Sequence, residues 1–448
     1  MHSVIDLNDI GVYVDSDSQQ LNSPGYALLQ RDGEPVLGEI ALRQARLAPA
    51  RTANRFWRDL SLNPVGITHP QVRHQADLVW HHVKQIHAEL SLDHGLFLCP
   101  SHYTEEQLSL LSGILKAQQI QPAVLIKRAL AAAVLDPAAT VYIEVQLHQI
   151  LLTTLERKGG EQIAGDTRIL AGEGYVGLVD TLLKAIQKRF IRETRFDPLH
   201  HASTEQQLAD ALPDMLSHLS RSETTLALVQ SRDEEYRAEI RREDLALAIE
   251  SLWNTVGAAL PAGSRMLADQ PLGLFPGFDS LQGEFRLIDS ELLAQAARTL
   301  PVPTSADADT PIFLSRARLT SNAELPAEPA AQPEATRTDP VAPASYPQVT
   351  ESSVHATHLL CRGVALRRQY LWLGVSPQGR MELMANEPEA PLARCLATQQ
   401  GLEIEGLADI QLNGEKLVGK RLLNIADHIS ANDVSGGATA IQVVGDGR

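Results

Sequence analysis

The sequence predicts an α/β unit followed by a linker and a small all-β unit, and three observations carry that prediction. From Val4 to about Leu300 short β-like runs alternate with longer helical ones, the pattern of α/β architecture. Between Ser321 and Val349 the chain is mostly Pro, Ala, Glu, Thr and Ser, so burial cannot recover the entropy of ordering it. From Ser352 onward short alternating runs are separated by Gly, Asn and Pro turns, which describes a β-rich unit. At 448 residues the chain is too long for one ordinary core. The expected division is 1–302, a flexible linker over 303–350, and 351–448.

Taken in order, strands are expected at Gly11–Val14, Gly95–Cys99, Thr140–Val145 and Ile150–Leu155. Helices are expected at Gln71–Leu90, Glu105–Gln119, Tyr175–Phe190, Glu205–Ser220 and Arg242–Ala258, each with apolar residues at spacings of three and four. Thr104 followed by Glu105-Glu106-Gln107 is a capping box, in which a hydroxyl takes one orphan amide and the residue three later returns the bond. The acidic stretch Asp233-Glu234-Glu235 reads as a solvated helix start. In the last unit the β-like runs are Tyr370–Val375, Gly401–Ile404 and Ala438–Val444, and no internal repeat is evident anywhere in the chain.

Hydrophobic residues make up 44% of the chain, enough to bury cores, while the formal net charge of −16 argues against a nucleic-acid partner. Cys99, Cys361 and Cys395 are an odd, scattered set that suits a reducing compartment, so a cytoplasmic protein is expected. Met1 to Val14 carries Asp6 and Asp9 where a secretory peptide would be basic and then apolar. No run approaches the roughly 18 uncharged apolar residues that cross a bilayer, so no direct membrane insertion is expected.

Several motifs occur in an informative order. Val4-Ile5-Asp6-Leu7 opens the chain; Leu37 to Ala45, Pro49 and Asn54 to Leu60 follow. Leu98-Cys99-Pro100-Ser101-His102-Tyr103-Thr104-Glu105-Glu106-Gln107 comes next, then Ile126 to Val134 with Ala131-Ala132-Ala133. Gly165-Asp166-Thr167 to Tyr175 completes the series with a turn cluster. Together these resemble the nucleotide-binding domain of the DnaK-type heat-shock chaperones, within the actin-like ATPase superfamily, from the N-terminus to about Ser280. The resemblance implies an actin-like two-lobed ATPase fold and assigns residual nucleotide-binding positions to Asp6, Arg58, Glu144, Gly165, Asp166 and Thr167.

The chemistry of that family is missing. Its second phosphate hairpin carries an acid, three glycines and a threonine, because bare backbone must approach phosphate; here the run is Glu144-Val145-Gln146-Leu147-His148-Gln149. Side chains at Gln146, Leu147 and His148 would fill the phosphate volume, and any position needing positive φ would cost about 1–2 kcal/mol without glycine. Arg128 stands where the family has the glutamate that helps hold magnesium and water, and a cation there repels the metal and cannot act as a base. Trp57 or Arg58 falls where the catalytic lysine belongs. Asn8-Asp9-Ile10 replaces the first loop's glycine and hydroxyl residues, and Gln270-Pro271 replaces the late glycine pair.

Near the C-terminus, Ile410-Gln411-Leu412-Asn413-Gly414-Glu415-Lys416-Leu417, with Leu422-Leu423 and Asp427-His428-Ile429, resembles the closing part of a forkhead-associated domain and implies a small β sandwich. The Ser and His that such domains place around phosphothreonine fall at Ala393 and Leu396, leaving Arg394 and Arg380 as the available charges.

Other polar residues have plain structural readings. His69, His74, His81, His82 and His87 lie on or near one helix, with no two spaced four apart, so packing or surface roles are expected. Cys99, followed by Ser101-His102, reads as a buried structural thiol, since adjacent residues on an extended chain point to opposite faces and so do not cooperate as a nucleophile pair. Asp166 is either a metal or phosphate contact or a turn-former that bonds its own backbone. Glu144 keeps the acid of the second loop.

The expectation is a non-catalytic, chaperone-like scaffold or adaptor, a pseudo-ATPase with no catalytic residue, no metal and no cofactor, that meets a protein partner through 351–448. The alternative is a divergent ATPase that uses Arg58 and Glu144 with ATP and magnesium. A third reading makes it part of a membrane- or pole-associated assembly, with the linker raising the effective concentration of a tethered unit.

Overall fold

A computed structural model describes residues 3–16, 19–90, 92–232, 234–301 and 312–318, with stretches between 356 and 445. The chain opens with an antiparallel meander, β1 (Ser3–Asp6), β2 (Val12–Asp15) and β3 (Gln20–Ser23). The short α1 (Glu39–Leu42) and the long α2 (Gln75–Leu90) lead to β4 (His94–Cys99), then α3 (Glu105–Ala117) and β5 (Gln121–Lys127). β4 lies parallel to β1, and β5 parallel to β4. α4 (Arg128–Leu135) follows directly, with all eight residues buried.

The same plan then begins again. β6 (Val141–Val145), β7 (Gln149–Lys158) and β8 (Glu161–Ala171) form a second antiparallel meander. α5 (Tyr175–Thr194), α6 (Ala202–Leu219), the hairpin β9 (Thr224–Ser231) and β10 (Glu234–Arg241), and α7 (Arg242–Ala259) intervene. β11 (Arg265–Asp269) then pairs parallel with β6, and β12 (Glu284–Ile288) parallel with β11, before α8 (Ser290–Thr299). The strand orders β3-β2-β1-β4-β5 and β8-β7-β6-β11-β12 are therefore one topology used twice. No repeat is visible in the sequence because matched places carry unlike residues: Arg128 opens the helix after β5, and Ser290 the helix after β12.

The two halves meet where α4 packs on α8, and small side chains permit the approach: Ala129, Ala132 and Ala133 share a buried cluster with Ala294, Ala296 and Ala297. A separate cluster under the first sheet gathers α2 and α3 through Leu78, Val79, Leu111 and Leu115. The Thr104 capping box is present on α3, with both reciprocal bonds made.

Three expectations need correction. The stretch Glu234–Arg241 is a strand, not a helix start, because Tyr236, Ala238 and Ile240 alternate inward with period two; Asp233 lies outside the described residues. Gly165, Asp166 and Thr167 lie within β8 rather than in a turn, which begins only at Gly172. The first unit does not end at 302, and 303–350 is not linker throughout. β13 (Phe313–Leu314) pairs parallel with β5, and β14 (Arg316–Arg318) pairs antiparallel with β8, so one short segment adds a strand to each sheet. The remainder of the expected linker, 303–311 and 319–350, lies outside the described residues.

Leu125 donates its amide to Ile312 (2.9 Å) and Ala164 its amide to Ser315 (2.8 Å) across these junctions. A chain ending at Pro301 is expected to exchange both amides at least about tenfold faster than the full chain, while the Ile5 amide at the sheet centre stays protected. Hydrogen exchange read residue by residue checks this.

The C-terminal stretches are all β among the described residues. Val364–Arg367 pairs antiparallel with β3 through Ala365 and Asn22, Leu366 and Leu21, and Arg367 and Gln20, so further strands prolong the first sheet. A separate five-stranded sheet has Ala393–Thr398 at its centre, between Tyr370–Val375 and Gly401–Gly406. Of the expected run Ala438–Val444, the strand covers Ile441–Gly445, and Ala438 lies outside the described residues.

Candidate functional site

Repeating one topology brings the ends of β1, β6 and β11 together beside the start of α4, and each contributes polar groups. Arg128 grips Asp6 with two bonds, Nε to Oδ1 at 2.7 Å and Nη2 to Oδ2 at 3.0 Å. Its Nη1 meets Asp269 Oδ1 and Oδ2 at 2.7 and 2.8 Å, and also donates to the Tyr142 hydroxyl. Tyr142 donates to Asp269 Oδ1 at 2.5 Å, and Ser290 Oγ donates to Asp6 Oδ2 at 2.8 Å. Asn8 Nδ2 donates to the Val145 carbonyl (2.9 Å) and to Asp269 Oδ2 (3.3 Å), which also accepts the Val145 amide at 3.0 Å. Asp6, Arg128 and Asp269 are all at most 2% exposed.

The electrostatics follow from that burial. Burial opposes the Arg128 charge, but the carboxylates of Asp269 and Asp6 outweigh it and hold the guanidinium protonated. Burial pushes Asp269 up to about 6 even though Arg128 pulls it down. The guanidinium thus joins an acid of the first sheet to an acid of the second, and both forks of a planar donor are taken up.

Glu144 belongs to a neighbouring chain of bonds. Its Oε2 accepts the Ser101 amide (3.3 Å), its Oε1 accepts Gln146 Nε2 (2.7 Å), and Gln146 Oε1 accepts Gln149 Nε2 (2.7 Å). Burial raises Glu144 above the ordinary carboxyl range, with Arg128 acting against it. Ser101 Oγ accepts the Ala129 amide at the first turn of α4 (3.3 Å), and its carbonyl accepts Thr167 Oγ1 (3.1 Å).

The Gln146–Gln149 turn closes with the Gln146 amide on the Gln149 carbonyl (2.9 Å), and none of its residues has positive φ. The expected backbone penalty for missing glycines is therefore not incurred: the turn has been rebuilt in a conformation that side-chain-bearing residues adopt. Leu147 is buried among Tyr26, Leu28 and Ala41, and His148 Nε2 meets Asn54 Oδ1 at 2.9 Å. The Tyr175 and Val176 amides at the start of α5 donate to the Gln146 and Leu147 carbonyls, both at 2.9 Å. Donors that would otherwise suit an anion are thus engaged by the hairpin.

Of the sequence-predicted residues, Asp6 and Glu144 come together around Arg128. Trp57 and Arg58 differ in burial. Trp57 is a core residue whose Nε1 donates to His82 Nδ1 (2.9 Å), with His82 Nε2 at 2.8 Å from Ser23 Oγ. Arg58 is half-buried, pairs with Asp59 at 3.1 Å, and acts electrostatically on Asp9 and His148. Gly165 and Thr167 instead flank the second polar chain: the Gly165 carbonyl accepts Lys127 Nζ (2.7 Å), and a Cβ at Gly165 would lie 2.6 Å from Thr154 Oγ1. Asp166 is a strand residue whose carbonyl accepts Thr154 Oγ1 (3.4 Å), so it does not form a turn. Asp269, Tyr142, Ser290 and Asp9 were missed as site residues; the available signal was Asp269 closing the apolar run Met266-Leu267-Ala268 before Pro271.

Asp9 is buried, its Oδ1 accepting the Leu147 amide at 2.7 Å, while Oδ2 has no hydrogen-bond partner among the described residues. Burial pushes it up to about 7. Because Asp9 and Asp269 are both raised in the folded chain, their protonated forms favour folding. That stability is fully present below the ordinary carboxyl range and is lost as pH rises through about 6 for Asp269 and about 7 for Asp9. Asp9→Asn is expected to flatten the decline, retaining about 2 kcal/mol that the wild type loses between roughly pH 5.5 and 8. Urea unfolding across that range is the measurement, and parallel slopes would contradict it.

Burial pushes the Cys99 thiol well up, in keeping with a structural role, and His82 is a core residue. In the C-terminal unit Ala393 is buried, and Arg394 pairs across strands with Glu405 (Nε to Oε2 3.0 Å), which takes up its charge; Arg380 lies outside the described residues. Among the described residues no group of three His, Cys, Asp or Glu side chains is placed to hold a metal, and no helix is long and apolar enough to cross a membrane. No known family model and no curated protein matches the chain.

Proposed function

We propose that the chain is a non-catalytic, chaperone-like scaffold or adaptor built on a DnaK/actin-like frame whose nucleotide site has been closed. One observation carries this reading: the Arg128 guanidinium is held between Asp6 and Asp269 at the meeting point of the strand ends. In the resemblance this is the region of magnesium and the phosphates. A divalent ion would have to displace a buried cation from two carboxylates, and the residues present do not fit it. The twice-used strand order suits the two-lobed architecture that the resemblance implies. A β-rich, forkhead-associated-like C-terminal unit would then meet a protein partner without its usual phosphothreonine contacts.

Isothermal titration with ATP and magnesium is the direct test. No binding heat and no turnover are expected; micromolar affinity with hydrolysis above that of Glu144→Ala would sink the proposal. A divergent ATPase is the second reading, favoured by Arg58, a half-buried cation that acts on both Asp9 and His148. It requires Glu144→Ala to abolish any hydrolysis found.

A further inference from the structure

The hairpin β9–β10 packs one face onto the helices below it and leaves the other open. Ala227, Val229, Ala238 and Ile240 point inward and are buried. The outer face presents Thr224, Leu226, Leu228 and Gln230 on one strand, directly opposite Arg241, Glu239, Arg237 and Glu235 on the other. Leu226 and Leu228 are 51% and 45% exposed. Each edge of the hairpin carries a side-chain clamp from a helix. Gln207 of α6 exchanges two bonds with the Gln230 backbone, and Arg189 and Glu193 of α5 bond the Glu239 carbonyl and amide. An incoming strand would have to displace these clamps to pair along the edge, whereas the outer face is open to a partner as it stands.

The order of charges identifies that partner. Along β10 the outward residues read Glu235, Arg237, Glu239, Arg241, an alternation that reverses sign when the strand is turned end for end about Ala238. On β9 the leucines sit symmetrically about Ala227, and Ala227 is the cross-strand partner of Ala238. One two-fold axis, lying in the interface plane across the strands at the Ala227–Ala238 pair, therefore satisfies every outward position at once. Leu226 meets Leu228 of the second copy, Arg237 meets its Glu239, Glu235 meets its Arg241, and Thr224 meets its Gln230. An isologous dimer needs this self-complementarity. The pairing the outward acids and bases make within their own strand, such as Arg237 with Glu235 and Arg241 with Glu239, is exposed and yields easily to new partners.

We propose that this face is a self-association surface whose occupant is a second copy of the chain. Eight residues at about 3.4 Å each and two strands about 5 Å apart offer roughly 270 Å² per copy. Stable interfaces bury about 800 Å² per partner, so the dimer is reversible and concentration-dependent.

Sedimentation velocity of the full chain, from low micromolar to near-millimolar concentration, tests it. The wild type is expected to shift toward dimer with concentration. Arg237→Glu and Glu239→Arg, each setting like charges face to face, should raise the dissociation constant by at least about tenfold. The double variant exchanges the two signs and recreates the match, so it should restore dimerisation. All these side chains are exposed, and circular dichroism should be unchanged in every variant. A wild type that stays monomeric, single variants that dimerise as well as wild type, or a double variant that does not recover would each overturn the proposal.

Discussion

Arg128→Met is expected to lower the free energy of unfolding by about 3–5 kcal/mol, the range for removing one partner from a buried ion cluster. The loss is not the value of the Arg128 bonds themselves. It reflects Asp6 and Asp269 left in the interior without a cation, with only Ser290 on the first and Tyr142, Asn8 and the Val145 amide on the second. Two further results separate this account from simple loss of packing. The deficit should shrink as pH falls from 8 toward about 6 and level off below, because without the pull of Arg128 the Asp269 carboxyl takes up its proton at higher pH than in the wild type and then no longer needs a counter-charge. The triple variant Asp6→Asn, Arg128→Met, Asp269→Asn should recover most of the stability, since a neutral cluster of similar volume carries no stranded charge. Arg128→Lys should fall between wild type and methionine, because an ammonium keeps the charge and loses the two-sided fork. Urea unfolding of the wild type and the three variants at pH 5.5 and pH 8 reads all of these, and a methionine variant that unfolds like wild type at pH 8 would contradict the account.

Local features of this site were legible in the sequence, and its assembly was not. The capping box at Thr104, the helix from Tyr175 and the strands around Glu144 follow from short-range patterns and lie where those patterns put them. Arg128 was visible as a misplaced cation, but its partners were not: Asp6 lies 122 positions away and Asp269 lies 141 away. Only the repeated topology brings them together, and that repeat is a matter of strand order and direction, which leaves no trace in residue identity. The error at Glu234–Arg241 has a different origin. The acids Asp233-Glu234-Glu235 suggested a solvated helix start, yet the apolar residues that follow Glu235 keep period two, and the charges between them are the outer face of a hairpin. Phe313–Arg318 was hidden for a third reason. Two strands of two and three residues are too short to announce themselves by alternation, and their pairing with β5 and β8 is set by sheet edges waiting to be covered.

Gly174→Ala should be the most damaging single methyl group that can be added to the hairpin region, destabilising the chain by about 3 kcal/mol, the upper end for overpacking a closed site. The reason is space and not backbone conformation. At φ −95° and ψ 178° Gly174 is extended, a geometry any residue adopts. A Cβ there would lie 2.3 Å from the Gln149 amide nitrogen, 2.4 Å from the His148 carbonyl carbon and 2.5 Å from the His148 Cα. All three are backbone atoms, so no rotamer change relieves the contact, and either the turn or the first turn of α5 must move. Gly172, two residues earlier, provides the internal comparison. Its φ is +83° and a Cβ would meet nothing within 4 Å, so Gly172→Ala should cost only about 1 kcal/mol, through conformation alone. The displacement at Gly174→Ala should also have a chemical signature. Moving the turn draws the Leu147 amide from Asp9 Oδ1, and it disturbs the Tyr175 and Val176 amides on the hairpin carbonyls. Asp9 loses a bond that holds its carboxyl down but gains water, and because burial is the larger of the two influences its carboxyl should fall back toward the ordinary range and the stability lost between pH 5.5 and 8 should diminish. Unfolding free energies of both glycine variants across that range discriminate the two mechanisms. Equal losses at the two positions, or an unchanged pH slope in Gly174→Ala, would show that the hairpin does not rest on α5 as tightly as the close approach at Gly174 requires.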